Sequence, residues 1–359
     1  MDRNITFLLG AGASALTIPT VEKFRVALTA LEKDILGVGF LNKQDQQLIL
    51  NRSTPMQQVK ESLSIYSRYI SDQLLNFSSI DTYARFLYYT NPSELPRLKV
   101  FLDFCFSYWQ FTNGLDKRYD SLMSLLMRGT TNNASLPTNI KVLTWNYDLQ
   151  LESCLARYLK VSNLREVYTK VNIYPGPGHL ENQILANAFS VFKLNGSAQT
   201  YVDDTSTHSV QEYEFEFFNQ DPIDSNSFQK RSNRRVKVLE AYHTQISSPK
   251  TPCCLTYSWD ESALMKKVRD EASIATSDTD ILIIIGYSFP LINRKVDEML
   301  INNMGLLKEV YIQSLKETIQ GVTERCKKIV EKNQRRPTPP AINSLHYIDE
   351  FFVPDDIVE

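Results

Sequence analysis

The sequence predicts an α/β fold built on a doubly wound parallel sheet, and three observations carry that expectation. Six short apolar runs, Ile5–Leu9, Ile140–Thr144, Ser190–Leu194, Asp280–Ile285, Glu309–Ile312 and Leu345–Ile348, each end in a turn or a polar residue. The runs show little polar alternation, as strands of a parallel sheet covered on both faces do. Stretches with apolar residues at three- and four-residue spacing separate several of them, the alternation of a doubly wound sheet. Their length and β-branched content weigh against reading them as turns of buried helix.

The elements follow in order. After the first run, Val21–Leu36, Asp45–Leu50, Pro55–Phe77, Ile80–Tyr89 and Pro96–Phe111 carry helical periodicity, with Thr54-Pro55 and Asn91-Pro92 as turns or helix starts. The expected organisation is therefore a nucleotide-binding-type core over 1–24 and 130–359 with a helical module inserted at 25–129. A second insertion, 199–250, is acidic and aromatic around Glu212–Phe218 and then basic through Lys230, Arg231, Arg234, Arg235 and Lys237. It reads as a β-ribbon or flap, or equally as a solvated loop.

Bulk composition excludes several function classes. Hydrophobic residues make up 43% of the 359 and supply a sizeable core, while a net charge of −2 gives no global attraction to nucleic acid or anionic membrane. The Arg234–Arg235 cluster is by default a solvated charged face, so direct nucleic-acid binding is not expected. Five scattered cysteines, Cys105, Cys154, Cys253, Cys254 and Cys326, form no C-x-x-C pair, which argues against a zinc module and against a disulfide framework. With four histidines a histidine metal site is not expected either, so no metal is assigned. The absence of a long apolar segment or a leader-like start points to a cytoplasmic chain with no membrane association.

Four segments carry chemistry. Gly10-Ala11-Gly12-Ala13-Ser14 follows the first strand, where glycine permits a tight bend or close approach to a phosphate and a helix start would favour an anion. The full G-x-G-x-x-G form is absent, and packing of a helix on the sheet would explain the glycines equally well. Thr144-Trp145-Asn146-Tyr147-Asp148 places polar groups at a strand's carboxyl end, where open α/β sheets bind ligands. Asn146 can hold a ribose hydroxyl or water and Asp148 can accept from an amide, although both also suit capping of a helix near Leu149. Lys193-Leu194-Asn195-Gly196-Ser197 ends another strand. Gly286-Tyr287-Ser288-Phe289-Pro290 ends the most apolar run, and Gln313-Ser314 follows the next.

In this order, with Ile18-Pro19 after the glycine turn, the motifs resemble the sirtuin family over roughly 1–24 and 138–350. The resemblance implies a Rossmann-like NAD site. Gly10, Ala11, Gly12 and Ser14 would hold the pyrophosphate, and Pro19 and Thr20 would fold over the nicotinamide end. Thr144, Asn146 and Asp148 would face the nicotinamide ribose and amide. Gly286, Tyr287 and Ser288 would line the adenosine half, with Gln313 and, more remotely, Asp349 at the adenine ribose. Thr20 replaces the aspartate of classical deacetylases, and Trp145 replaces a glutamine. Asn195 stands where the family carries its histidine base, and a carboxamide lacks the basicity of imidazole.

Three readings of Asn195 stay open: positioning of water without a base, a base from elsewhere (Asp81 or His179), or binding without turnover. The missing zinc module and the inserted helices are similar to the bacterial antiphage branch of the family, which hydrolyses NAD to nicotinamide and ADP-ribose. The resemblance further implies homo-oligomers and a partner, a HerA-type ATPase or a short Argonaute-associated protein. The competing expectation is a scaffold subunit that binds NAD or ADP-ribose. A dehydrogenase is disfavoured by the missing ribose-binding acid and G-x-G-x-x-G.

Overall fold

Seven strands hydrogen-bond into one all-parallel sheet, in the spatial order Asn172–Tyr174, Ser190–Lys193, Ile140–Thr144, Ile5–Leu9, Ile281–Ile285, Glu309–Gln313 and Ala341–Leu345. The structure is a computed structural model. It describes residues 3–37, 53–128, 135–161, 164–176, 188–198, 200–203, 209–212, 254–332 and 338–354, with Arg336 and scattered positions between 235 and 246. The strands are β1 (Ile5–Leu9), β2 (Ile140–Thr144), β3 (Asn172–Tyr174), β4 (Ser190–Lys193), β7 (Ile281–Ile285), β8 (Glu309–Gln313) and β9 (Ala341–Leu345). The doubly wound α/β expectation is correct, and five of the six apolar runs coincide with strands to within one residue.

The misses lie at the sheet's two ends. The last strand is Ala341–Leu345 rather than Leu345–Ile348. As an edge strand with one side uncovered it holds only exposed and half-buried residues, and Asn343 and Ser344 break any apolar run. At the other edge, β3 has three residues, too few to register as a run.

Central strands send alternate residues to opposite faces, and both faces are covered. Ile5, Phe7, Leu9, Val142 and Ile283 pack with α5 (Lys117–Leu126) and α6 (Gln150–Tyr158). Leu8, Leu143, Leu282 and Ile284 pack with α8 (Ala263–Ala275), α9 (Arg294–Asn303) and α10 (Ile319–Val330). α7 (Leu164–Tyr168) leads into β3.

A third core joins α1 (Phe24–Gly37), α2 (Ser53–Gln73), α3 (Ile80–Thr90) and α4 (Leu95–Asn113) with Tyr242, Leu255 and Tyr257. α5 falls inside the 25–129 stretch read as insertion, yet its Leu122 and Leu126 pack on the sheet. The separate helical core therefore ends with α4.

An antiparallel ribbon, β5 (Thr200–Asp203) with β6 (Ser209–Glu212), opens the second insertion. The aromatic run that follows Glu212, Arg234, His179 and the 45–50 segment lie outside the described residues. Arg235 is paired with Asp34 at 3.2 Å, so this member of the basic cluster is engaged within the chain. Among the described residues the cysteines at 105, 154, 254 and 326 are buried. No three His, Cys, Asp or Glu side chains there converge as a metal site, and no helix is long and apolar enough to cross a membrane.

Candidate functional site

Strand order reverses at β1. β2 and β4 lie to one side of it, while β7, β8 and β9, later in the chain, lie to the other. Open α/β sheets bind ligands in the crevice such a reversal leaves beyond the strands' carboxyl ends. A cleft with a cavity volume of about 140 Å³ opens there. Of the sequence-predicted residues it brings together Ala11, Pro19, Asn146, Asp148, Asn195, Gly286, Tyr287 and Ser288. Gly10, Gly12, Ser14, Thr20, Thr144 and Gln313 lie outside its lining.

The glycine turn serves backbone packing. The Gly10 amide donates to Ile285 O at 3.0 Å and the Gly12 amide to Gly286 O at 2.9 Å. A Cβ on Gly12 would stand 2.7 Å from Gly286 Cα, and one on Gly286, at φ +60°, 2.4 Å from the Gly12 carbonyl carbon. The turns after β1 and β7 thus interlock main chain to main chain, which only glycine permits. Two expectations change. These two amides are spent within the protein rather than offered to a phosphate. The element after the turn is a 3-10 turn, Ala11–Ser14, and α1 begins only at Phe24.

Asn146 is the tie between β2 and the glycine turn. Its Nδ2 donates to Gly10 O at 3.0 Å and to Ser14 Oγ at 3.3 Å, while its main-chain amide donates to Thr144 Oγ1 at 3.1 Å. Ser14 Oγ also meets Tyr119 OH at 3.1 Å, so Ser14 and Thr144 shape the site from behind its wall. Capping explains part of Asp148, whose Oδ1 accepts the Gln150 amide at 3.1 Å in front of α6. Burial pushes the Asp148 carboxyl up to about 6, with the Lys193 ammonium opposing the shift.

Asn195 lines the opposite wall with its carboxamide fixed at both ends. Arg269 Nη2 donates to Oδ1 at 3.3 Å, and Nδ2 donates to Tyr147 OH at 3.5 Å. Tyr147 OH in turn donates to Thr256 O at 2.7 Å. Gly196 follows at φ +81°, where a Cβ would fall 1.8 Å from Cys254 O, so the turn is pinned against the 254–257 segment. The side chain at the position of the expected base therefore turns its acceptor toward a guanidinium and its amino group toward Tyr147.

Behind this wall lie two groups that the motifs did not reveal. Arg269, on α8, is buried and also donates to the carbonyls of Leu194, Tyr257 and Ser258 at 2.9, 3.0 and 3.3 Å. Burial pulls its pKa down from the arginine range, yet a guanidinium stays charged. In the sequence it is one more polar residue of an amphipathic helix, and nothing marks it. Lys193 did leave a signal, a lysine inside an apolar strand. It pairs with Glu152 at 2.7 Å with both side chains buried, and its ammonium also donates to Asp148 O. Replacing Lys193 by Met is expected to cost about 3–5 kcal/mol by stranding Glu152. The double variant Lys193→Met/Glu152→Leu should recover most of it in urea unfolding, and an undiminished loss would show that Glu152 is not the cause.

The β7 turn holds Tyr287 by its far end. Its hydroxyl lies 2.8 and 3.0 Å from the two Asp297 oxygens and accepts from Asn293 Nδ2 at 3.1 Å, while its ring faces Trp145 in a stacked arrangement at 6.0 Å. The phenol group is thus turned away from a ligand and the ring alone forms cleft wall. Burial pushes Asp297 up to about 8. Phe289 adopts φ +51° before Pro290, a left-handed non-glycine conformation that stores about 1–3 kcal/mol of strain beside the cleft.

Gln313 is spent differently from expectation. It donates to Tyr347 O and Glu350 O at 2.8 and 2.6 Å and accepts the Phe352 amide at 3.1 Å, anchoring the C-terminal segment. Ser314 bonds Thr318, and Asp349 is exposed. Neither reaches the cleft. The helical insertion supplies what the motifs lacked: Phe24 of α1, Ile80 and Asp81 of α3 and Phe106 of α4 close the cleft's remaining wall.

No family model matches the sequence, and no curated protein is significantly similar to it. One solved structure, reported as "Structural Basis for the Mechanism and Regulation of Sir2 Enzymes", superposes over 93% of this chain and 93% of its own with 11% identity and a TM-score of 0.34. A superposition of that quality says nothing of ligand or activity, and the fold assignment rests on the sheet itself: this is a Rossmann-like, all-parallel α/β protein.

Proposed function

We propose that this chain is an NAD⁺ hydrolase that releases nicotinamide and ADP-ribose. The observation that supports it is the convergence of Asn146, Asp148 and Asn195, from the ends of β2 and β4, with Gly286–Ser288 of β7 in one cleft at the sheet's reversal point. Asn146 and Asp148 would bind and orient the nicotinamide riboside end. The N–H of Asn195 would hold a ribose oxygen or the attacking water. Nicotinamide leaves as a neutral molecule from a cationic glycoside, so positioning of water and stabilisation of positive charge at the ribose account for the chemistry without an imidazole. By its resemblance to the antiphage branch of the sirtuins, the hydrolase would deplete NAD in defence. It would work as a homo-oligomer with a HerA-type ATPase or a short Argonaute-associated protein.

A second reading, a subunit that binds NAD or ADP-ribose without turnover, is favoured by one contact: Arg269 occupies the acceptor of Asn195. Incubation of the purified chain with NAD, alone and with its genomic neighbour, and chromatography of nicotinamide and ADP-ribose separates the two. The hydrolase reading expects release by the wild type and a loss of about tenfold or more in Asn195→Ala. Release from Asn195→His alone would leave the scaffold reading.

A further inference from the structure

Acidic groups dominate the charge of the cleft. Its lining contains two carboxylates, Asp81 and Asp148, and no lysine or arginine among the described residues. Both cations closest in role face away: Arg269 holds Asn195 and three carbonyls from behind the wall, and Lys193 is paired with Glu152. Such a lining suits a positively charged ligand group.

The two carboxylates are not equivalent. Asp148 has Oδ1 committed to the Gln150 amide. Asp81 takes part in no hydrogen bond or ion pair among the described residues, and burial alone pushes it up to about 6. Its placement is nonetheless fixed. Ser79 caps α3: the Thr82 amide donates to Ser79 Oγ at 3.1 Å and the Ser79 amide to Thr82 Oγ1 at 2.9 Å, a capping box that locks the first turn. Ile80 and Asp81 from that turn both reach the cleft. Elsewhere the wall is largely apolar or aromatic, with Ile18, Phe24, Phe106 and Trp145, and Tyr287 lies near enough to feel the Asp81 charge. Asp81 is only half-buried, so this carboxylate stands beside apolar surface yet open to a ligand.

We propose that Asp81 is a catalytic carboxylate, supplied by the inserted helices, that faces the cationic ring of a pyridinium N-glycoside and accepts the proton of the water that displaces it. This rests on the NAD-hydrolase reading and names its missing proton acceptor. In the step, the C1′–N bond breaks with its electron pair going to the ring nitrogen, which neutralises the pyridinium. A water oxygen bonds to C1′, and one water proton passes to Asp81 and then to solvent. The products are nicotinamide, ADP-ribose and a proton. The carboxylate stabilises positive charge as it moves from the ring to the ribose.

Binding tests this whether or not turnover is observed. Calorimetry would compare carbocyclic NAD⁺ (ribose ring oxygen replaced by methylene, charged and uncleavable), NADH with its neutral ring, and ADP-ribose. The wild type is expected to prefer the cationic analogue over NADH by about tenfold. Asp81→Asn should erase that preference with ADP-ribose affinity kept within about threefold, and should lower nicotinamide release by about 100-fold. Asp81→Ser serves as the second variant, with circular dichroism confirming that each folds. A preference that survives in both variants while ADP-ribose still binds overturns the role of Asp81 and leaves the NAD site standing. Failure of the wild type to bind any of the three ligands overturns both.

Discussion

Gly286→Ala is expected to lower stability by about 2–4 kcal/mol and to abolish binding of ADP-ribose. At φ +60° a side chain carries a backbone penalty of about 1–2 kcal/mol, and its Cβ would lie 2.4 Å from the Gly12 carbonyl carbon and 2.5 Å from the Ala13 nitrogen. Main chain cannot rotate away as a side chain could, so the β1 and β7 turns must separate. The bonds from Gly10 to Ile285 and from Gly12 to Gly286, which close the floor of the cleft, separate with them. Urea unfolding with calorimetric titration measures both effects. Gly305→Ala is the control, because a Cβ there meets nothing within 4 Å and should change stability by less than about 0.5 kcal/mol. A Gly286→Ala protein as stable as that control would show that the interlocked turns are not required.

Arg269→Met is expected to cost about 3–5 kcal/mol, because it strands buried acceptors on Leu194, Tyr257, Ser258 and Asn195 together. Arg269→Lys should recover only part of this, since one ammonium cannot reproduce the planar fork. The effect on function is separable from stability. With Oδ1 released, the Asn195 carboxamide can flip and present an acceptor to the cleft, and nicotinamide release by the folded lysine variant should fall by about tenfold. Wild-type turnover in Arg269→Lys would mean that the guanidinium serves folding alone.

The sequence was most legible where one residue type has one physical use. Continuous apolar strands require a sheet covered on both faces, and β1, β2, β4, β7 and β8 were found on that ground. Edge strands obey a weaker rule, because one side of their ladder is open. β9, with Asn343 and Ser344, and the three-residue β3 escaped for that reason. Asn146, Asp148, Asn195 and Gly286, singled out by motifs at strand ends, lie together in one cleft, since topology alone brings the carboxyl ends of parallel strands together.

What motifs could not specify is which polar atoms remain free once the chain has folded. Gly10 and Gly12 read as phosphate donors, and Gln313 read as a ribose contact. The folded chain spends all three on its own backbone. Conversely, Arg269 read as an ordinary helix residue and Asp81 as one of two alternative bases, and only packing places one behind Asn195 and the other in the cleft wall. By itself the sequence determined the central strands, the order of the turns at their carboxyl ends and the asparagine at 195, because these follow from local patterning and chain connectivity. Tertiary structure alone decided the direction of the Asn195 carboxamide and the unpaired state of Asp81, because hydrogen-bond donors and acceptors are allotted between segments far apart in the chain.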